Sequence, residues 1–169
     1  GVYTEVLHLS KAVSLVGAGA ETTILRAPVL SRVLRIAGPG IDTSVVISGL
    51  TFTDGELHSQ LGLTCEDGCV GAAMLITGTA RPQLRNLIIQ GNEAFQAGGI
   101  FAHTGSPLHI EEVEFVDNHG LYAGSGGLYA GDVVTLTNVT FRDNTAFQGS
   151  GAGASLMHGG LMRDSVAEG

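Results

Sequence analysis

The feature that most constrains the fold is a repeat of 26 residues. The phrase "VEFVDN" at residues 113–118 returns as "VTFRDN" at residues 139–144, which is 26 residues further along the chain. Asn92 lies one such interval before Asn118. A fixed interval of about 20–50 residues is typical of solenoids, in which each repeat forms one coil of a stack. The repeat therefore predicts stacked coils rather than a sandwich or a bundle.

Apolar and polar residues alternate within each repeat. Val113 and Phe115 alternate with glutamates, and Val139 and Phe141 alternate with asparagine and threonine. Such alternation is typical of half-buried strands, and the recurring Gly, Asn and Asp residues supply turns. Equivalent residues should then pair between neighbouring coils, about 4.8 Å apart. The sequence predicts an all-β fold, a parallel β-helix of about six coils of roughly 26 residues.

One interval is longer than the others. Phe52 is equivalent to Ile89, 37 residues later, and the excess is assigned to an inserted loop at residues 54–70. The rest of residues 1–169 forms a single β-helix domain in this interpretation. Insertions between coils are where solenoids place recognition surfaces.

Two columns of equivalent residues acquire structural roles under this prediction. The first is an inward core stack: Phe52, Ile89, Phe115 and Phe141. The second is a ladder of asparagines: Asn92, Asn118 and Asn144. An asparagine side chain carries both a donor and an acceptor, so identical residues can bond along the axis and satisfy the turn backbone. The alternative is an exposed asparagine row that binds sugar or ice.

The opening of the chain resembles a known family. Its first 25 residues, "GVYTEVLHLSKAVSLVGAGAETTIL", contain Gly-x-Tyr-x-Glu, then Leu-x-Gly-x-Gly, and then Thr-Ile. This pattern resembles the first coil of right-handed parallel β-helix proteins of the pectin-lyase-like superfamily. The later "GGI", "GGL" and Phe-x-x-Asn phrases resemble the repeats of polymorphic outer-membrane proteins and related bacterial surface β-helices. The resemblance implies right-handed coils and an extracellular or cell-surface location.

Charge and composition limit the kinds of partner that the chain can bind. The chain has 8 Lys and Arg residues and a net charge of −8, so we expect no nucleic acid and no anionic membrane as a partner. No apolar run approaches the roughly 18–20 residues of a membrane span. We expect the sequence to be a segment of a longer chain or a mature product, since it begins inside a coil. The expected partners are a glycan or a protein at the cell surface, or a second copy added end to end through unpaired strands.

The two cysteines, Cys65 and Cys69, lie in the predicted loop as "CEDGC". A local disulfide fits a secreted protein, and free thiols are an alternative. A metal site is the third alternative, with His58, Glu66 or Asp67 as further ligands. Zinc requires four ligands, so this site would need most of those residues.

Catalysis would need clustered carboxylates. The candidates are Asp54, Asp117 and Asp143, with Arg142 as the nearest base. Enzymes on the resembled fold include pectate lyases, polygalacturonases and pectin methylesterases, which use such groups for acid–base chemistry or to hold Ca²⁺. The alternative is that these aspartates only support turns. A further acidic patch of three glutamates is expected to be a solvated face: Glu111, Glu112 and Glu114.

The catalytic signatures of those enzymes are missing from the sequence. It contains no Gly-x-x-Asp-Phe-x-x-Gly, no Asn-Thr-Asp and no Arg-x-Pro-x-x-Arg, and it has no Trp. We therefore expect a non-catalytic β-helix scaffold or adhesion segment that contacts glycans or self-assembles, and that needs no cofactor. The alternative is a fragment of a polysaccharide-active enzyme, such as a lyase, hydrolase or esterase, with Ca²⁺ as its cofactor.

Overall fold

The computed structural model describes residues 1–57, 66–122, 124–149 and 151–168, and these residues are almost entirely β-structure. Strands of successive coils pair in parallel and build three sheets, forming a β-solenoid of about six turns. The prediction of an all-β parallel β-helix is confirmed. The described residues include one short 3-10 helix, Glu66–Gly68, and no helix among them has the length and apolarity to cross a membrane.

The strands are numbered in chain order. Sheet 1 contains β1 (Val2–Thr4), β3 (Leu15–Val16), β4 (Ile24–Arg26), β6 (Val46–Thr53), β9 (Gln83–Gln90), β12 (Leu108–Val116), β15 (Val134–Arg142), β18 (Gly160–Arg163) and β19 (Val166–Glu168). Sheet 2 contains β2 (Leu7–Leu9), β5 (Leu34–Ala37), β8 (Met74–Thr77), β11 (Ile100–Ala102), β14 (Leu128–Ala130) and β17 (Ala154–Leu156). Sheet 3 contains β7 (Glu56–Leu57), β10 (Glu93–Ala94), β13 (His119–Gly120) and β16 (Thr145–Ala146).

The register of the sheets follows the sequence repeat. Phe115 in β12 pairs with Phe141 in the following coil and with Ile89 in the preceding one. Across the longer interval, Phe52 pairs with Ile89. Within the stretch predicted as a loop, β7 stays in register with β10, and Val70 forms a bridge to Gln96. The extra residues of that interval therefore lie between β7 and Val70.

The interior is a single column of hydrophobic side chains along the axis. Phe52 and Phe115 are fully buried, and Phe141 is 2% exposed. The rings of Phe115 and Phe141 stack with centroids 4.8 Å apart and an interplanar angle of 12°. Such pairs add about 0.5–1.5 kcal/mol beyond the burial of their area. Because every coil contributes to the same column, each coil is stabilised by its two neighbours.

Each long strand of sheet 1 bends near its middle. Glu112 and Asn138 have φ angles of 55° and 53°, and the equivalent residues of the two preceding coils, Asn86 and Gly49, have 48° and 66°. The pairing between neighbouring strands skips these residues: Glu111 pairs with Thr137 and Val113 with Val139, with no pair at Glu112. The left-handed residue resets the alternation, so side chains on both sides of the bend face inward. Glu112 therefore occupies a bend, not a regular polar strand position as the alternation predicted.

Candidate functional site

The three candidate aspartates lie at the turn that connects sheet 1 to sheet 3. Asp54, Asp117 and Asp143 have φ angles of 58°, 53° and 56°, in the left-handed region where aspartate is one of the tolerated residues. Given the register, Gly91 occupies the same column with a φ of 61°. Asp117 and Asp143 are therefore in adjacent coils, while Asp54 is two coils away from Asp117.

Each of these aspartates has a neighbouring basic side chain. Arg26 Nε lies 2.7 Å from Asp54 Oδ2, and His119 Nε2 lies 3.3 Å from Asp117 Oδ1. Arg142 Nη1 lies 3.3 Å from Asp143 Oδ2. At least half of each carboxylate-bearing side chain is exposed, so these ion pairs contribute little stability. The arrangement gives every aspartate a turn position and a separate partner.

A shallow groove of about 370 Å³ lies beside this turn, and we call it the acidic groove. Its carboxylates come from Asp54, Glu56, Glu93 and Asp117, with His119 at its border. Asp143 and Arg142 do not line it. In the part of the chain that the structure describes, no group of three or more His, Cys, Asp or Glu side chains is arranged to hold a metal ion.

The three asparagines lie immediately after this turn and point into the interior. Asn92 and Asn118 are fully buried, and Asn144 is 8% exposed. Asn92 Nδ2 donates to Asn118 Oδ1, and Asn118 Nδ2 donates to Asn144 Oδ1, both at 2.9 Å. At the upstream end, the Gly55 amide donates to Asn92 Oδ1 at 2.9 Å. The column thus bonds along the axis and leaves no asparagine face at the surface for sugar or ice.

Part of the inserted loop is anchored to the β-helix by a partly buried arginine. Arg32 donates from Nε to the Gly71 carbonyl at 3.0 Å and from Nη2 to the Val70 carbonyl at 2.8 Å. Burial lowers the pKa of the Arg32 guanidinium, and the Asp67 carboxylate opposes that change. Asp67 also lies 2.9 Å from Arg35 Nε. These contacts fix the return of the loop against sheet 2.

The predicted cysteine pair lies on the same loop. Cys69 is 6% exposed and is not a free thiol. Cys65 lies outside the described residues, as does His58, so the pairing of Cys65 with Cys69 stays a prediction.

The anchored loop borders a groove that the sequence analysis did not identify. This groove, of about 510 Å³, is lined by Asp67, Val70, Leu75, Thr77, Gly78, Phe101, His103 and Thr104, and we call it the aromatic groove. Its apolar floor belongs to a satellite hydrophobic cluster on the outside of sheet 2. The ring of Phe101 stacks on Tyr129 in the next coil, with centroids 4.6 Å apart and an interplanar angle of 4°. The repeated phrases "GGIFA" and "GGLYA" were the signal that could have located it.

The remaining polar residues singled out in the sequence lie on the outer face of sheet 1. Glu111 Oε2 lies 3.4 Å from Arg85 Nε, next to His109. Glu112 and Glu114 are exposed. These side chains form a solvated face of mixed charge.

The comparisons with known proteins agree with this geometry. The family model described as a right handed beta helix region matches residues 36–169, which is most of the chain. No curated protein and no solved structure matches the chain. The chain belongs to the right-handed β-helix family.

Proposed function

We propose that this β-helix is a non-catalytic scaffold at the cell surface or outside the cell, and that it contacts a neutral glycan in the aromatic groove. The observation that carries the proposal is the placement of an apolar floor, Leu75 and Phe101, beneath a rim of polar groups from Asp67, His103 and Thr104. A sugar ring has an apolar face and a rim of hydroxyl groups, so it complements such a surface. The volume of the groove lies within the usual range for small-ligand sites.

The net charge of the chain favours a neutral sugar over an acidic one. The whole chain carries a net charge of −8, whereas the Asp67 carboxylate at the groove is already paired with Arg35. Polyanions such as pectate are repelled as they approach a surface of the same sign. The rigid β-helix would hold the groove in one geometry, which lowers the entropy cost of binding.

The scaffold role is supported by the structural positions of the candidate aspartates, which lie in turns. Asp54, Asp117 and Asp143 occupy left-handed turn positions, and the nearest base, Arg142, lies against the carboxylate of Asp143. A retaining or inverting glycosidase needs two carboxylates that face one substrate from opposite sides. Side chains stacked in one column along the axis do not make that arrangement.

The finer relationships are part of the same proposal. The opening Gly-x-Tyr-x-Glu and Leu-x-Gly-x-Gly pattern supports membership of the pectin-lyase-like superfamily. The GGI and GGL phrases support a kinship with bacterial surface repeats of the polymorphic outer-membrane type, and hence an adhesive role.

Glycan binding is tested on an array of neutral and acidic oligosaccharides, followed by calorimetry with the best neutral ligand. Replacing His103→Ala and Thr104→Val removes exposed polar groups of the rim and should weaken binding about three- to tenfold each, the effect of one lost hydrogen bond. The control is Thr135→Val on the outer face of sheet 1, which should leave the affinity unchanged. Binding to no neutral glycan, or equal loss in the control, would exclude the aromatic groove as the site.

The enzyme alternative is tested separately. The protein, incubated with pectin, pectate and other polysaccharides with and without Ca²⁺, should release no unsaturated or reducing sugar. Sustained turnover that disappears in an Asp117→Asn, Asp143→Asn double variant would replace the scaffold proposal with a catalytic one and identify its site.

A further inference from the structure

One exposed asparagine lies in a short sequence signal that has a chemical meaning of its own. Residues 138–140 are Asn138, Val139 and Thr140, which match the Asn-x-Ser/Thr acceptor sequence for N-linked glycans. The chain contains four other asparagines, and none of them has a hydroxyl residue two positions later: Asn86, Asn92, Asn118 and Asn144. The last three are buried in the ladder, where a sugar has no room.

Asn138 is placed where a glycan can be attached without loss of contacts. It lies at the bend of β15 and is exposed, next to the buried Val139. Among the described residues, neither the Asn138 side-chain amide nor the Thr140 hydroxyl takes part in a hydrogen bond. A sugar on Asn138 Nδ2 therefore displaces water and breaks no side-chain contact.

The columns of the β-helix show that the fold does not require this pair of residues. The position at the bend holds several residue types: Gly49, Asn86, Glu112, Asn138 and Asp164. The column of Thr140 is equally varied: Thr51, Ile88, Glu114, Thr140 and Val166. Asparagine is favoured in the left-handed conformation, but a glutamate and an aspartate also occupy it here. The bend therefore explains an asparagine at position 138 but not the threonine that follows it.

We propose that Asn138 is an N-glycosylation site whose glycan covers the outer face of sheet 1. Asn138 Nδ2 forms a bond to the anomeric carbon of a sugar that is carried as a lipid-linked diphosphate. The bond between that carbon and the diphosphate breaks, the amide gives up one proton, and the lipid diphosphate leaves. The proposal rests on the proposed location outside the cell, because N-linked glycans of this kind are carried by secreted proteins.

The glycan and the aromatic groove occupy different faces of the molecule. Asn138 follows Thr137, which lines a polar groove of about 340 Å³ on the outer face of sheet 1 together with His109 and Glu111. The aromatic groove lies on the outside of sheet 2. A glycan on Asn138 thus shields sheet 1 from partners and leaves the aromatic groove accessible.

The test uses the protein isolated from its native source. Mass spectrometry of its peptides, with electron-transfer fragmentation, should place a hexose- or N-acetylhexosamine-based chain on Asn138 and none on Asn86, the other exposed asparagine. The fraction in which the protein is recovered tests its location separately. A protein found outside the cell with Asn138 unmodified would refute the glycan alone, and an unmodified Asn138 in any fraction overturns this proposal.

Two variants produced in the same organism separate the acceptor sequence from simple exposure. Thr140→Val keeps Asn138 exposed but removes the hydroxyl, and it should abolish the modification. The variant should fold, because Ile88 and Val166 occupy the same column. The matched control is Thr137→Val, which removes a hydroxyl on the other side of Asn138 and should leave the glycan in place. A glycan that persists in Thr140→Val, or that is lost equally in Thr137→Val, would overturn the assignment.

Discussion

Replacing Asn118 by alanine tests the asparagine ladder at its centre. Asn118 is fully buried, and its side chain takes part in four hydrogen bonds. Its Nδ2 donates to the Ile89 carbonyl at 2.8 Å and to Asn144 Oδ1 at 2.9 Å. Its Oδ1 accepts from Asn92 Nδ2 at 2.9 Å and from the Asn92 amide at 3.3 Å. Alanine removes all four and leaves the Asn92 amide without this acceptor in a dry site.

The expected loss follows from those contacts. At about 1 kcal/mol for each hydrogen bond, Asn118→Ala should lower the free energy of unfolding by about 4 kcal/mol. That is a large part of the roughly 5–15 kcal/mol that stabilises a typical domain. Asn144 takes part in three side-chain hydrogen bonds and is 8% exposed, so Asn144→Ala should cost less, about 2–3 kcal/mol.

The measurement is urea unfolding followed by circular dichroism, with comparisons limited to variants of equal m-value. Asn138→Gly is the matched control, because Asn138 is an exposed asparagine at a left-handed bend that glycine also adopts. It should change the unfolding free energy by less than about 0.5 kcal/mol. A loss at Asn118 no larger than in this control would refute the hydrogen-bonded ladder as a source of stability.

Three further predictions concern single groups. Ser125→Ala should raise the unfolding free energy by about 1 kcal/mol, because Ser125 Oγ is buried without a hydrogen-bond partner among the described residues; a lower melting temperature would contradict this. Hydrogen bonds from the Val133 amide, and then from the Gly105 amide, lower the pKa of Asp132 below its ordinary 3.8. The ionised Asp132 therefore stabilises the folded state fully above that pH, and this contribution is lost as the pH falls through the folded-state pKa. Asp132→Asn should flatten this part of the acid unfolding curve. Non-reducing mass spectrometry should find Cys65 and Cys69 joined, and alkylation of both without a reductant would refute the pair.

Much of the fold was predictable because the column of identical asparagines fixes the register of the residues around it. Asn118 and Asn144 fixed the interval, and the interval placed Phe115 opposite Phe141, as the register shows. The longer interval between Phe52 and Ile89 was also placed correctly, since the inward column must continue through an insertion.

The bend in sheet 1 was missed, although the sequence contains its mark. The inward residues Ile110 and Val113 are three positions apart, where strict alternation allows only even spacings. The same spacing separates Leu136 from Val139 in the next coil. A residue in the left-handed region between them restores the inward direction, and an odd spacing that recurs at the repeat interval is how such a bend can be predicted.

The aromatic groove was missed for a different reason. The strands of sheet 2 have apolar residues on both faces, as in Ile100–Ala102, where all three residues are buried. Alternation identifies an inward face only when the other face is polar. Alternation therefore does not show that Phe101 faces outward, although the repeated phrases "GGIFA" and "GGLYA" place it opposite Tyr129 of the next coil.

The columns also separate what the fold requires from what it leaves free. The ladder repeats asparagine in successive coils because each amide satisfies the next, and a different residue there would leave buried groups unpaired. The outward column of sheet 2 follows the same register yet changes identity in every coil: His8, Arg35, Leu75, Phe101, Tyr129 and Ser155. No bonding rule along the axis dictates those residues. In a solenoid, the residues of such an outward column can change without disturbing the fold, so evolution can adapt them to bind a ligand. Here that column meets the anchored loop at the aromatic groove.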